Sequence, residues 1–387
     1  MALRAIREFD AKRLIGMKGK RVLVGPGTRL RPFDFAQGKW VVKPDELVGK
    51  RSKHGLVGVN LDEAGVKEYL DEYRGKEVEI SGVKDRLEYF LVEPYVEHIE
   101  EWLVAMRTRA EGDEILWSEE GGVEVEEKGA VETMVVPVGG EFKGKWPIPY
   151  IEELYKVFVR LDFGGLEINP LARVGDEFIP LDVKARLDDA ARFWHLKDWE
   201  AIEFPSPWGR RKLKEEDEVA GLDEKSGASL KLTVINPLGR IWLLVAGGAG
   251  SVVYADTVAD LGQAEELANY GEYSGNPSTE EMYQYTKAVV GVMVREGKRV
   301  VGKKLLVGGA VANFTDVAAT FKGMVRAMRE MAEELGQQKV EILVRRGGPN
   351  YQEGLAMMND FGREFGVAVR TFGPERPMTE IVELALR

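Results

Sequence analysis

The chain has 387 residues, with 54 basic and 65 acidic side chains, a net charge of −11 and no cysteine. The acidic balance argues against nucleic acid as a partner, because phosphate neutralisation needs a basic excess. The missing cysteines exclude disulfides, thiolate catalysis and cysteine-ligated metals, and no apolar run approaches the roughly 18 residues of a membrane span.

The length predicts two domains, the first itself in two lobes. With 44% hydrophobic and 31% charged residues, the composition is that of an ordinary globular protein. The N-terminus, Met1-Ala2-Leu3-Arg4, soon reaches Arg7, Glu8 and Asp10, so no apolar signal segment is expected and the location expected is cytoplasmic. Glycine is abundant, 44 residues, about 11% against roughly 7% in average proteins. That excess points to tight turns and close backbone approach to ligands.

Residues 1–205 read as mixed α and β. Trp40-Val41-Val42-Lys43 and Leu56-Val57-Gly58-Val59 are predicted strands around a basic loop, Lys50 to Gly55. Phe90 to Glu93 and Leu103 to Met106 are further strands. A hairpin with the acidic tip Ser118-Glu119-Glu120-Gly121-Gly122 follows, then a helix from Ile151 to Leu161. Leu166-Glu167-Ile168 and Phe178-Ile179-Pro180-Leu181 are expected to pair. Breakers at Phe204-Pro205-Ser206-Pro207-Trp208-Gly209 and a charge run to Glu218 mark a linker over 206–220.

Residues 221–387 are more regular. Ile241–Ala246, Leu305–Val307, Val340–Val344 and Val367–Phe372 are apolar runs, each followed by a glycine turn and a helical pattern. Strand, glycine turn and helix, repeated four times, predict a parallel sheet with helices on both faces. Ligands of such sheets bind beyond the carboxyl ends of the strands, where helix N-termini favour anions. Three turns there carry Gly-Gly pairs; a single pair is most often just a tight turn, but three on the same edge favour phosphate or carboxylate binding. The second of these turn regions, Gly309 to Asp316, opens a helix expected from about Asn313 to Leu335. Val317, Phe321, Met324, Met328 and Met331 form its core face. Asn313 is the expected N-cap with Asp316 in the first turn; Asn313 and Thr315 either cap the helix or also hold a carboxylate. Arg345-Arg346 ends a buried strand at the ligand edge, where a guanidinium pairs with a neighbour or with a bound carboxylate.

In the first domain Lys43, Arg51, Asn169 and Asp182 fit a triphosphate-plus-magnesium cleft, although Asn and Asp are also common turn residues. His54, His98 and His195 form no metal cluster and none stands beside an obvious base, so they read as structural or peripheral.

Several stretches resemble the N-terminal portion of ATP-citrate lyase. They are Val41-Val42-Lys43-Pro44-Asp45, Gly55 to Leu61, Leu166-Glu167-Ile168-Asn169-Pro170-Leu171, Asp223 to Leu230, Glu265 to Gly275, Ala312-Asn313-Phe314-Thr315 and Arg345 to Gly354. The resemblance covers essentially the whole chain; the β subunits of succinyl-CoA synthetase are wider relatives. It implies an ATP-grasp domain over 1–205 and a flavodoxin-like, doubly wound citrate-binding domain over 221–387. Lys43, Arg51 and Ser52 would hold ATP phosphates, Glu93, Pro94 and Val96 would line the adenine, and Glu101 would meet the ribose. Asn169 and Asp182 would hold nucleotide Mg2+, and Asp223, Ser226 and the Ala228 carbonyl match a further family magnesium position. Gly275, Asn313, Thr315 and Arg346 would hold citrate, with backbone help at Gly248 and Phe314.

The activity implied passes the γ-phosphoryl group of ATP to a histidine and then to citrate. CoA displaces phosphate from citryl phosphate, and citryl-CoA is cleaved to acetyl-CoA and oxaloacetate. The phosphorylated histidine, most of the CoA site and a citrate-synthase-like domain would belong to a second subunit, making a hetero-oligomer without nucleic acid or membrane. A citryl-CoA synthetase subunit would look nearly alike. A non-catalytic citrate or nucleotide sensor is the reading of another class, and the joint presence of Lys43, Asn169, Asp182 and Arg346 argues against it. The segment between Ala11 and Gly38 is shorter than in the animal enzymes.

Overall fold

The computed structural model describes residues 3–28, 38–122, 131–140, 144–296 and 298–386. Contacts divide the chain into two units, Met1–Arg211 and Lys212–Arg387. No described helix is long and apolar enough to cross a membrane.

The first unit is built on antiparallel sheets. The larger contains β1 (Leu3–Ile6), β8 (Glu100–Thr108), β9 (Gly112–Ser118), β10 (Glu132–Pro137), β11 (Phe163–Val174) and β13 (Val183–Asp188), in the order β1-β13-β11-β8-β9-β10. β12 (Glu177–Pro180) is added on β11. Alternation sorts its two faces: Trp102, Val104 and Met106 of β8, with Leu166 and Ile168 of β11, are buried in a core shared with helix α3 (Pro149–Arg160). Leu103, Ala105, Glu167, Asn169 and Lys184 stand on the other face and line a cavity. The smaller sheet, order β2-β7-β3-β4, comprises β2 (Val22–Val24), β3 (Trp40–Pro44), β4 (Gly58–Leu61) and β7 (Phe90–Pro94). Its core includes Val42, Phe90 and Val92, backed by Val66 and Leu70 of helix α2 (Glu63–Tyr73). A two-stranded ribbon, β5 (Glu77–Ile80) and β6 (Val83–Arg86), completes the unit, together with the short helix α1 (Glu8–Leu14).

Two expectations for this unit need correction. Leu166–Ile168 does not pair with Phe178–Leu181: Ile168 faces Val183 and Val104, while Leu171–Val174 pairs with Glu177–Pro180. The register of β11 on β8 shifts between Ile168 and Leu171, so one long strand serves both partners. The strand expected at Leu56–Val59 lies two residues later, because Ser52–His54 forms a 3₁₀ turn closed by Gly55 at φ +67°. Ser118–Gly122 begins the connection from β9 to β10, of which residues 123–130 lie outside those described. So do residues 29–37 of the shortened segment.

The second unit holds one six-stranded sheet of order β14-β16-β15-β17-β18-β19. The strands are β14 (Ser229–Val234), β15 (Ile241–Ala246), β16 (Asn269–Ser274), β17 (Lys304–Gly309), β18 (Glu341–Arg345) and β19 (Ala368–Phe372). All pairings are parallel except that of β14 with β16. Without β14 this is the flavodoxin-like strand order 2-1-3-4-5. Every residue of β15 is buried, because each face has its own layer. On one face Trp242, Leu244, Leu305 and Ile342 meet helices α4 (Lys214–Asp223), α6 (Thr279–Glu296), α7 (Val317–Glu330) and α9 (Tyr351–Phe365). On the other, Leu243, Val245, Leu306 and Leu343 meet α5 (Gly248–Asp260) and α10 (Met378–Leu386).

The helix expected over Asn313–Leu335 begins later and is interrupted. Asp316, not Asn313, is the N-cap: its Oδ1 accepts from the Ala319 amide at 3.0 Å. Met331, at φ −120°, separates α7 from the short α8 (Ala332–Gln337). Val317, Phe321, Met324 and Met328 form the buried face, as their spacing predicts.

Candidate functional sites

In the first unit the cavity between the two sheets measures about 560 Å³. Lys43, Arg51, Ser52, Glu93, Pro94, Val96, Asn169 and Asp182 all line it. Lys43 stands near the end of β3, and Arg51 immediately precedes the 3₁₀ turn. Both are fixed from behind by Glu8 on α1, which accepts from Lys43 Nζ and Arg51 Nη2 at 2.7 Å each and pairs with Lys12 at 2.8 Å. Burial pushes the Glu8 carboxyl up, but Lys12, Lys43 and Arg51 outweigh it and hold it well below the carboxylate range. Burial disfavours charge on Lys43, yet Glu8, Glu93 and Asp182 raise its pKa above the ordinary lysine value. Two buried cations are therefore held charged and aimed at one cavity.

Asn169 and Asp182 are adjacent, the Asn169 amide donating to the Asp182 carbonyl at 3.0 Å. Both line the cavity, and an amide oxygen with a carboxylate oxygen suits magnesium, which takes few protein ligands and keeps water and phosphate oxygens. Asp182 Oδ1 accepts from Arg51 at 2.5 Å, and Asn169 Oδ1 accepts from the Gly122 amide at 2.7 Å. Burial and the Glu8 charge raise the Asp182 pKa, against the pull of Arg51 and Lys43. Glu101 joins the cavity through its neighbours. Its Oε1 is 3.0 Å from His98 Nε2, and its Oε2 lies 2.6 Å from where a β-carbon on Gly122 would stand.

Sequence reasoning missed Glu8, Lys12 and Gly122, and read His98 as structural or peripheral; it lines this cavity. The i,i+4 pair Glu8–Lys12 on an acidic first turn was the available signal. Of the other histidines, His195 stacks on Trp199 and bonds Asp162 at 2.7 Å, whereas His54 is exposed on the 3₁₀ turn.

In the second unit the strand order reverses between β15 and β17, so their carboxyl ends open a crevice. The three Gly-Gly turns follow β15, end β17 and follow β18, which are neighbours. Gly247, at φ +82°, leads into α5 without any side-chain cap, leaving its first amides for a ligand. Gly250 lies in ordinary contact with the next turn, its β-carbon position 3.6 Å from Gly309 Cα. Gly248 stands against Glu272, whose Oε2 would be 2.6 Å from its β-carbon.

Arg345 and Arg346 divide the roles left open for them. Arg345 donates to the carbonyls of Gly309 (2.8 Å), Pro374 (2.9 Å) and Arg376 (2.8 Å) and so ties turns together. Arg346 is 3% exposed, donates through Nη1 to the Ala310 carbonyl, and leaves Nε buried without a partner. Among the described residues it pairs with no carboxylate. A buried guanidinium without a counter-charge is costly to maintain, and an anion at its free edge would offset that cost.

Thr315 is buried in the loop before α7, while Asn313 and Phe314 are exposed on it. The loop is pinned by Ala312 N to Gly347 O (3.0 Å) and by Asp316 N to Asn276 Oδ1 (3.2 Å). Gly275 lines a separate cavity of about 560 Å³ with Ser226, Ala228 and Asp316; Arg346 and Gly248 are not on its wall. Both Asp223 oxygens are engaged, by Leu230 N at 2.8 Å and Lys231 Nζ at 2.5 Å, and Ser226 Oγ accepts from Ala228 N at 2.9 Å. Among the described residues no group of three or more His, Asp or Glu could hold a metal.

Residues 210–387 match the family described as ATP citrate lyase citrate-binding, and residues 31–147 match the ATP-citrate synthase ATP-grasp domain. The ATP-citrate synthase alpha chain protein 2 of Arabidopsis thaliana is 44% identical across all of this chain and 99% of its own length. The mouse ATP-citrate synthase is 46% identical over 89% of this chain, which spans 33% of that protein. Among solved structures, ATP citrate lyase from Methanothrix soehngenii, in complex with citrate and coenzyme A, is similar over 100% of both chains, with 44% identity and a TM-score of 0.88. Its sheets, its two family matches and relatives of this identity over its whole length agree: the chain belongs to the ATP-citrate lyase family.

Proposed function

We propose that the chain is the ATP- and citrate-binding subunit of an ATP-citrate lyase, converting citrate, ATP and CoA to acetyl-CoA, oxaloacetate, ADP and phosphate with a second subunit. Lys43, Arg51 and Ser52 hold the nucleotide phosphates, with Glu8 keeping the two cations charged and in place. Glu93, Pro94 and Val96 line the base, and Glu101 meets the ribose. Asn169 and Asp182 would hold Mg2+, which would offset phosphate charge; Asp182 is held meanwhile by Arg51. Asp223, Ser226 and Ala228 form a further metal position, for which Asp223 must release Lys231.

Citrate lies at the crevice between β15 and β17. Arg346 takes one carboxylate, the amide end of α5 at Gly248 a second, and the loop Asn313-Phe314-Thr315 completes the enclosure, while Gly275, on the wall of the other cavity, takes no part in it. The second subunit supplies the phosphorylated histidine, most of the CoA site and the citrate-synthase-like domain. The observation that carries this reading is the buried Arg346 guanidinium, which donates to the Ala310 carbonyl and, among the described residues, pairs with no carboxylate. Support for a separate second chain comes from the plant relatives, which are named alpha chains and match over 98–99% of their own length. Mixing the chain with its partner, citrate, CoA and Mg-ATP should release ADP and form acetyl-CoA and oxaloacetate. ADP with citryl-CoA alone would make it a synthetase subunit, and no ADP would make it a sensor.

A further inference from the structure

The connection from β7 to β8 carries a hydrogen-bonded bridge that the nucleotide chemistry above does not use. His98 Nδ1 lies 2.8 Å from the Val96 carbonyl oxygen and its Nε2 lies 3.0 Å from Glu101 Oε1. Both partners can only accept. A neutral imidazole has a single N–H and satisfies one of them, leaving a lone pair facing the other oxygen. Only the doubly protonated ring donates to both. We infer that His98 is a positioning residue of the nucleotide pocket: as an imidazolium it ties Glu101 to the Val96 carbonyl and so fixes the carboxylate that receives the ribose hydroxyls. The inference rests on the placement of ATP in this cavity.

Surrounding contacts agree. Burial opposes charge on His98, but the bonds to Glu101 and Val96 win and raise its pKa above the ordinary value. The same Glu101 accepts from the Gly121 amide through its backbone carbonyl at 2.6 Å. Gly122, next in sequence, exchanges hydrogen bonds with the Asn169 side chain at 2.7 and 3.1 Å. A chain of contacts therefore runs Val96, His98, Glu101, Gly121-Gly122, Asn169, from the base-lining segment to the metal pair. Glu101 remains partly exposed, its side chain at 37% against 18% for His98. A carboxylate that exposed would sample several rotamers unless held, and an unheld acceptor binds a hydroxyl less well.

The test compares ATP with 2′,3′-dideoxy-ATP, which keeps base and phosphates and lacks both ribose hydroxyls. Affinities are measured by calorimetry on the full chain, as wild type, His98→Asn, Glu101→Gln and the double variant. The wild type should favour ATP, and His98→Asn should lose about tenfold in ATP affinity, the scale of one charge-assisted hydrogen bond. Its dideoxy-ATP affinity should be unchanged, and the double variant should be no worse than Glu101→Gln alone. Equal loss for both nucleotides, or none for either, would overturn the inference while leaving the nucleotide site standing. A wild type that binds both nucleotides equally would remove the ribose role of Glu101 and the inference with it. If His98→Asn does not fold, His98→Gln, which can reach only one partner at a time, carries the same comparison.

Discussion

The Arg346 guanidinium fills the space beside Gly309 so closely that a β-carbon on Gly309 would stand 2.8 Å from Nη1. Gly309 also has a φ of +141°, which L side chains rarely adopt. Its β-carbon would also stand 2.8 Å from the Ala246 β-carbon and carbonyl oxygen, which give way less easily than a side-chain end. Gly309→Ala should therefore displace the guanidinium and lower citrate affinity by roughly tenfold or more, since misplacements near 1 Å weaken oriented contacts strongly. Backbone strain should cost about 1–3 kcal/mol of stability as well. Gly302→Ala is the control: it has positive φ with nothing within 4 Å, so stability should fall while citrate binding does not.

Glu8 meets three cations in a buried setting, and removing one partner of such a network costs about 3–5 kcal/mol. Glu8→Gln should lose that much in denaturant unfolding at neutral pH and bind ATP more weakly, because Lys43 and Arg51 lose their anchor. The pH dependence has a definite sign. The folded pKa of Glu8 lies below its ordinary value of 4.5, so its stabilisation is present above that value and is lost as pH falls toward the folded pKa. The variant should lack this acid-side loss.

Asp10 behaves in the opposite sense. Burial, aided by the Asp45 charge, pushes its carboxyl up from 3.8 to about 6, against Arg13 and Arg7. Between those values the folded chain holds a proton that the unfolded chain has released, so stability falls as pH rises through the window. Asp10→Asn should remove that decline and raise stability at neutral pH by about 1–3 kcal/mol, at roughly 1.4 kcal/mol per unit. Thermal unfolding at acid and neutral pH checks it, and a variant less stable at neutral pH would contradict it.

Most of the second unit was legible because its strands are unbroken apolar runs punctuated by glycine turns, a pattern that follows from burial on both faces. β16 escaped notice because its buried positions are Asn269, Gly271 and Tyr273 rather than aliphatic residues. Asn269 reads as a loop residue, yet its side chain exchanges hydrogen bonds with both the Leu243 amide and carbonyl, at 2.8 and 2.9 Å, acting as backbone. The cap of α7 was misplaced because Asn313 and Asp316 both suit the position, and only tertiary contacts choose. Those contacts are Asn276 and Asn350, which hold Asp316. In the first unit Lys43, Arg51, Asn169 and Asp182 were recognisable as chemistry-bearing residues, but Glu8 was not. Its role depends on a fold that brings residues 8, 43, 51 and 182 together, which no local pattern encodes.

Calorimetric titration of citrate into the full chain, as wild type, Arg346→Gln and Arg345→Gln, bears most directly on the buried anion site. Arg346→Gln should cost about 2–5 kcal/mol of citrate binding, the scale for losing one side of a buried charged contact. It should leave ATP affinity and melting temperature near wild type. Arg345→Gln should instead lower the melting temperature, since three carbonyls lose their donor. Citrate binding unchanged in Arg346→Gln would contradict the account.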